Sequence, residues 1–203
     1  MTYFLAGVVL AYFIGAIPTG YIFGKLAKGI DIREHGSGNV GATNVYRTVG
    51  KTAGVTVFVI DFLKGFVAVT LIPFCIIKFC LEPGESLHGF QYILLGIAAI
   101  FGHVWTIFLK FKGGKGVATT AGVVTGVAPI IFAICFSVWI IVFLTWRYVS
   151  LASIVAAILL PIVAVVMGKS FGFIIFCSCM TILAVYFHRT NIKRLLQGNE
   201  NKS

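Results

Sequence analysis

The chain has 203 residues, 59% of them hydrophobic and only 11% charged. Soluble domains carry roughly a quarter of charged residues, so an ordinary cytoplasmic enzyme, a disordered chain and a disulfide-stapled secreted module are excluded. Sixteen Lys and Arg against six Asp and Glu give a net charge of +10, which fits cytoplasmic-loop bias, attraction to anionic lipid or a site for anionic substrates.

The first apolar run, residues 3–24, carries no charged side chain. A helix needs about 20 apolar residues to cross a hydrocarbon core, and this run is too long for a signal-peptide core. Pro18 predicts a kink. Gly7, Ala11 and Gly15, then Ala16, Gly20 and Gly24, recur every fourth position, the spacing of close helix packing. The basic loop 25–51 follows, with the string His35-Gly36-Ser37-Gly38-Asn39-Val40-Gly41-Ala42-Thr43-Asn44 and then Arg47. Glycines let backbone N–H groups turn inward as an anion nest, and Ser, Thr and Asn add donors; an ordinary Gly/Asn-rich turn accounts for the same string. Gly50-Lys51-Thr52 does not end a Walker A loop, because Val45 stands where its first glycine belongs.

Residues 53–77 form a second span, interrupted by Asp61 and Lys64 one helical turn apart. Charges inside a membrane are paired or functional; a structural ion pair and a lysine reaching a cytoplasmic-side cavity both fit. The third span, 89–109, holds His103 near its end, which suits a hydrogen-bonded core imidazole or a substrate contact. Lys110-Phe111-Lys112-Gly113-Gly114-Lys115-Gly116 then opens a helix whose positive N-terminus adds to the lysines. Lysines that merely mark the inner face of the membrane explain this loop too.

Residues 116–146 are too many for one span and too few for two full ones. With the loops 25–51 and 110–115 and the tail 188–203 placed in the cytoplasm by their positive charge, an even number of crossings must follow Lys115. The stretch is therefore expected to break at Thr125-Gly126-Val127-Ala128-Pro129. Runs 151–168 and 170–187 complete the set. The expected fold is an all-α polytopic integral membrane protein of about seven helices with a short fourth. The N-terminus lies outside, the C-terminus is cytoplasmic, and one domain spans 1–203. Thirteen cations then lie inside, Lys78 and Lys169 outside, and Lys64 within a span. The tail opens with His188-Arg189-Thr190-Asn191-Ile192-Lys193-Arg194, by itself a basic juxtamembrane segment.

Cys75, Cys80, Cys135, Cys177 and Cys179 lack metal-ligand spacing and are expected as small buried hydrophobes. Only Asp31, Glu34 and Glu200 are acidic in the predicted cytoplasmic segments, with no carboxylate cluster to hold Mg²⁺. Three donor-rich, cation-rich clusters on one face point to a phosphate-bearing ligand bound without an obligatory metal or cofactor.

Three strings resemble, in order, the signatures of the bacterial acyl-phosphate:glycerol-3-phosphate acyltransferases (the PlsY family). They are residues 35–44, the run from Gly102-His103 through Phe108-Leu109-Lys110-Phe111-Lys112-Gly113-Gly114-Lys115-Gly116 to Thr119, and His188-Arg189-x-Asn191-Ile192-x-Arg194. One departure is visible: the middle motif usually carries a proline three residues after its Gly-His, where this chain has Trp105-Thr106, and a changed bend near Phe108 is expected. The His-x4-Asp pair of other acyltransferases follows none of the four histidines. The resemblance implies a cytoplasmic-face enzyme of the bacterial inner membrane, working as a monomer on small molecules and membrane lipid, with no nucleic acid. It would move an acyl group from acyl phosphate to the 1-hydroxyl of sn-glycerol 3-phosphate, giving lysophosphatidic acid and phosphate. The donor is already activated, so no covalent acyl-enzyme is needed, and positioning is worth ~7–11 kcal/mol in favourable cases. A substrate phosphate oxygen, or His188, would take the hydroxyl proton. The expected catalytic residues are Ser37, His188 and Asn191. Asn39, Thr43, Asn44, Arg47, Lys64, His103, Lys112 and Lys115 are expected to bind substrate, with Arg47 and Lys115 holding phosphate and Ser37 and Asn191 orienting the glycerol or the acyl carbonyl. A transporter of a phosphorylated or lipid anion is the rival from another class.

Overall fold

In hydrocarbon no water can satisfy a backbone N–H or C=O, so a spanning segment must bond to itself as a helix. The computed structural model, which describes residues 2–202, has helices joined by turns and loops, with no strand among those residues. It divides into two compact units, residues 1–127 and 128–203.

The first unit contains α1 (Thr2–Ala16), α2 (Thr19–Lys28), α3 (Ala42–Thr48), α4 (Lys51–Val69), α5 (Leu71–Cys80), α6 (Gly89–Val104) and α7 (Val117–Val127). The second contains α8 (Pro129–Trp146), α9 (Val149–Val166), α10 (Phe171–Phe187) and α11 (Arg189–Leu196). Five stretches are long and apolar enough to cross a membrane: Thr2–Lys28, Lys51–Cys80, Gly89–Leu109, Pro129–Trp146 and Val149–Val166. A sixth is the pair α10 and α11, bent by 59°. Helix α7 is apolar but shorter, at 11 residues, or ~16 Å of rise.

The breaks fall where the chain chemistry puts them. The first stretch is interrupted between Ala16 and Thr19, at Pro18, whose ring removes a donor and clashes with the preceding turn. Helix α7 ends at Val127 and α8 begins on Pro129, inside the expected 125–129 segment, with proline at the helix start where its missing N–H costs nothing. Hydroxyls in the spans bond back to their own helix, as Thr70 does to the Phe66 carbonyl at 2.7 Å and Thr125 to the Ala121 carbonyl at 2.7 Å.

Within the first unit, α4 packs on α6 and α7, and α1 packs on α6. The contacts are backbone to backbone because the facing residues are small. A methyl on Gly15 would sit 2.0 Å from the Ala99 carbonyl oxygen, and one on Gly102 would sit 2.1 Å from that of Tyr12. Between α4 and α7 the same holds at Gly65, 2.0 Å from the Thr119 oxygen, and at Gly122, 1.9 Å from the Phe62 oxygen. The small-residue spacing of the first span thus works at Gly7, Ala11 and Gly15 on the helix interface. At Gly20 it works on the following loop, where a methyl would lie 1.9 Å from the Val40 oxygen. In the second unit α9 packs between α8 and α10, and Trp139 donates to Ser153 Oγ at 3.2 Å. Of the cysteines, Cys135 and Cys177 are buried as expected, whereas Cys179 is exposed on an apolar helix face.

These contacts set a test of the packing. Gly122→Val should force α4 and α7 apart at a cost of about 1–3 kcal/mol or more, lowering the thermal midpoint in detergent. Gly89→Ala, which meets open space, should leave it unchanged or raise it. Equal midpoints for the two variants would contradict the packing described.

Candidate functional site

The glycine-rich loop of the first unit is built around Asn44. This residue is buried in α3 and its side chain fills a gap in the loop. Its amide donates to the carbonyls of His35 at 3.0 Å, Asn39 at 2.9 Å and Ile32 at 3.2 Å, while its Oδ1 accepts from the Ser37 N–H at 2.9 Å. Gly36 and Gly38 have φ of 60° and 71°, a region open to glycine, and a methyl on Gly36 would also strike Asn44 Oδ1 at 2.3 Å. Asn39 closes a turn by accepting from the Gly41 N–H at 2.8 Å. Much of the expected nest is therefore spent internally, on Asn44 and Asn39. What the loop presents outward is the exposed side chain of Ser37, the half-buried Asn39 and Thr43, and the exposed Arg47. Asp31 is engaged as well: its hydrogen bonds with Arg33 hold the carboxyl down to about 2, and the Arg33 guanidinium lies over the Tyr21 ring.

The lysine loop docks on the end of α6. A helix C-terminus leaves its last carbonyls without intrahelical partners, and here the loop supplies them. Gly113 N–H donates to the Val104 oxygen at 2.9 Å and Gly114 N–H to the His103 oxygen at 3.1 Å. Neither position tolerates a side chain: a methyl would sit 2.0 Å from the His103 oxygen at 113 and 2.1 Å from His103 Nε2 at 114. The two glycines thus serve docking, and the loop also carries the exposed Lys110 and Lys112 and the half-buried Lys115, with the N-terminus of α7 just beyond. Lys110 and Phe111 both adopt left-handed conformations, φ 55° and 61°, each costing about 1–3 kcal/mol in a non-glycine residue. The Phe111 N–H bond to the Thr106 oxygen, 2.9 Å, helps to hold them. Thr106 occupies the place of the motif's proline. Its hydroxyl donates to the Ala16 carbonyl and accepts from the Phe108 N–H at 3.3 Å, starting a short 3₁₀ turn over Ile107–Leu109.

Below this loop lies a polar cluster inside the spans. Lys64, 4% exposed, directs its ammonium at Asp61 Oδ1 (2.6 Å), the Ile17 carbonyl (2.6 Å) and Thr19 Oγ1. Three acceptors match its three N–H bonds, so Lys64 is committed within the protein. His103 is 8% exposed, with Nδ1 3.7 Å from Asp61 Oδ1.

In the second unit His188 and Asn191 are both buried at the junction of α10 and α11. His188 Nδ1 lies 2.7 Å from the Ala184 carbonyl; a carbonyl only accepts, so Nδ1 carries the proton and neutral His188 has its lone pair on Nε2. Asn191 donates to Glu200 Oε1 at 2.7 Å. Glu200 is the member that the sequence reading missed. It returns from the polar tail to accept also from Ser150 Oγ at 2.8 Å and from Arg194 Nε at 2.7 Å. No periodicity or motif logic announces such a contact, because its partners lie 50, 9 and 6 positions away. Among the described residues no group of three His, Cys, Asp or Glu could hold a metal ion.

The pattern of the glycerol-3-phosphate acyltransferase family matches residues 5–198. The chain belongs to that family. A glycerol-3-phosphate acyltransferase from Desulforudis audaxviator is 45% identical over 193 residues, 95% of this chain and 92% of the relative. One from Moorella thermoacetica is 44% identical, covering 98% and 96%. Among solved structures, the integral membrane glycerol 3-phosphate acyltransferase PlsY (YgiH) in its glycerol 3-phosphate form superposes with a TM-score of 0.86 at 42% identity, covering 98% of this chain and 95% of that one. Its lysophosphatidic acid form gives 0.82 at the same identity.

The Glu200 contacts make a pH-dependent prediction. Burial pushes this carboxyl up, but the hydrogen bonds from Arg194, Asn191 and Ser150 outweigh it and hold the pKa below the ordinary glutamate value. Tail docking should therefore be fully stabilised above about pH 4.3 and weaken as pH falls through the lower folded value. Local opening over residues 188–202, read from hydrogen exchange corrected for the intrinsic rate at each pH, should rise on acidification in the natural protein. In Glu200→Gln it should be raised already at pH 7 and change little on acidification; identical profiles would remove Glu200 from this role.

Proposed function

We propose that this chain transfers a fatty acyl group from acyl phosphate to the 1-hydroxyl of sn-glycerol 3-phosphate, yielding lysophosphatidic acid and inorganic phosphate. The setting is the cytoplasmic face of the bacterial inner membrane. Seven helices cross it, counting α7 as the short fourth, with the N-terminus outside and one functional domain over residues 1–203. The observation that carries the reading is the likeness, over nearly the whole chain, to a protein crystallised in glycerol 3-phosphate and lysophosphatidic acid forms. The lysine loop locked onto α6 and the outward Arg47 give that likeness a physical basis in this chain.

Acyl phosphate is a mixed anhydride. The glycerol oxygen attacks the acyl carbon, the bond from that carbon to the phosphate oxygen breaks, and the hydroxyl proton ends on the departing phosphate. Both substrates carry phosphate, so cations held on rigid elements do most of the work, by orienting the two molecules and stabilising the oxyanion and the leaving group. Arg47, Lys112 and Lys115 hold phosphate, with Asn39 and Thr43 adding donors. Ser37 and Asn191 orient the glycerol or the acyl carbonyl. A substrate phosphate oxygen or His188 Nε2 receives the proton. Asn44 shapes the first loop from within, and His103 lies beneath the second.

Purified protein supplied with palmitoyl phosphate and glycerol 3-phosphate, without ATP or CoA, should form lysophosphatidic acid. Lys115→Ala and Arg47→Ala should each lower kcat/KM at least about tenfold. Activity within about threefold of the natural protein in both variants would overturn the phosphate assignment, and a clean failure of the natural protein would overturn the reaction.

A further inference from the structure

Asp61 has no part in the reaction above, yet it is 2% exposed in the interior of α4. Withdrawing an ion pair from water is costly before pairing, and an apolar pair of similar size often packs as well. The geometry is directional. Asp61 Oδ1 accepts from Lys64 and from Thr19 Oγ1, the latter at 2.9 Å, and faces His103 Nδ1 at 3.7 Å. Lys64 and Thr19 hold that same oxygen, and Lys64 is itself tied to the Ile17 carbonyl and to Thr19 Oγ1. The far nitrogen of the same imidazole, Nε2, lies against Gly114 so closely that a methyl there would sit 2.1 Å away. The His103 carbonyl binds the Gly114 N–H. A continuous line of contact thus runs from the carboxylate through the ring to the residue before Lys115.

We propose that Asp61 is a positioning residue for the Lys110–Gly116 loop, fixing the His103 ring on which Gly114 rests and so the place of Lys115. This rests on the reading that the loop holds a substrate phosphate. Removing the carboxylate charge releases the ring, loosens the docking of Gly113 and Gly114 on α6, and weakens the substrate that Lys115 binds, while the reacting groups stay intact.

The test compares the natural protein with Asp61→Asn and with the double variant Asp61→Asn/Lys64→Met, which removes both buried charges together and keeps the question answerable if the single variant does not fold. Amide exchange of Gly113 and Gly114 should quicken about tenfold or more while that of α1, α4 and α6 stays near the natural rate. KM should rise about fivefold or more for the one phosphate substrate whose KM Lys115→Ala also raises, with kcat within about threefold. Loop exchange within about twofold of the natural rate in a folded variant would overturn the proposal, as would exchange raised equally across all four elements, which marks a purely structural pair. Should the natural protein transfer no acyl group, the proposed reaction fails while the exchange measurement still decides the role of Asp61.

Discussion

Helix α6 ends at Val104, and its last carbonyls must find donors outside the helix. The chain meets that need with two consecutive glycines, Gly113 and Gly114, whose N–H groups bond the Val104 and His103 oxygens. No residue with a side chain fits either place. Once this contact forms, the lysines on both sides of it, Lys112 and Lys115, are fixed relative to α6, and α7 starts two residues beyond Lys115. The left-handed backbone at Lys110 and Phe111 follows from the same constraint, since the chain has to double back on Thr106 to bring the glycines home. A flexible basic loop would lose part of any binding energy in ordering itself.

The same economy of backbone contact recurs below. Glycines at 15, 65, 102 and 122 bring helices together at the distance where carbonyl oxygens touch α-carbons, which leaves little room for side chains between α1, α4, α6 and α7. The polar cluster of Asp61, Lys64, Thr19 and His103 occupies part of what remains, and the N–H groups of Lys64 are used on Asp61, Thr19 and the Ile17 carbonyl. Lys64, expected as a substrate ligand, ties α4 to the break at Ile17–Thr19.

Much of this architecture was legible in the chain. Apolar run length located the spans, Pro18 and Pro129 located two breaks, and four-residue spacing of small residues located the face of α1. Donor-rich strings located both loops and the start of the tail. The direction of each donor was not legible. Asn44 and Ser37 look alike as candidate ligands, yet one is turned inward to bond three carbonyls and the other is exposed. The glycines of the lysine loop dock it on the end of α6, a role that the string alone does not announce. Glu200 sits in Gln197-Gly198-Asn199-Glu200, a segment with every mark of a solvated tail, and only the folded chain brings it to Asn191 and Ser150. Such pairings depend on tertiary closure, which neither periodicity nor composition encodes.

The proposed chemistry assigns catalysis to positioned cations and a pre-activated donor, with no protein nucleophile. Neither His188, whose Nδ1 is tied to the Ala184 carbonyl, nor Ser37 has to form a bond to the acyl group. Rapid-quench measurement of phosphate release from acyl phosphate tests this most directly. With glycerol 3-phosphate absent, the account predicts no burst, and with it present, release in step with lysophosphatidic acid. A burst equal to the enzyme concentration, with an acylated peptide recovered from the quenched protein, is the signature of a covalent intermediate and would contradict it.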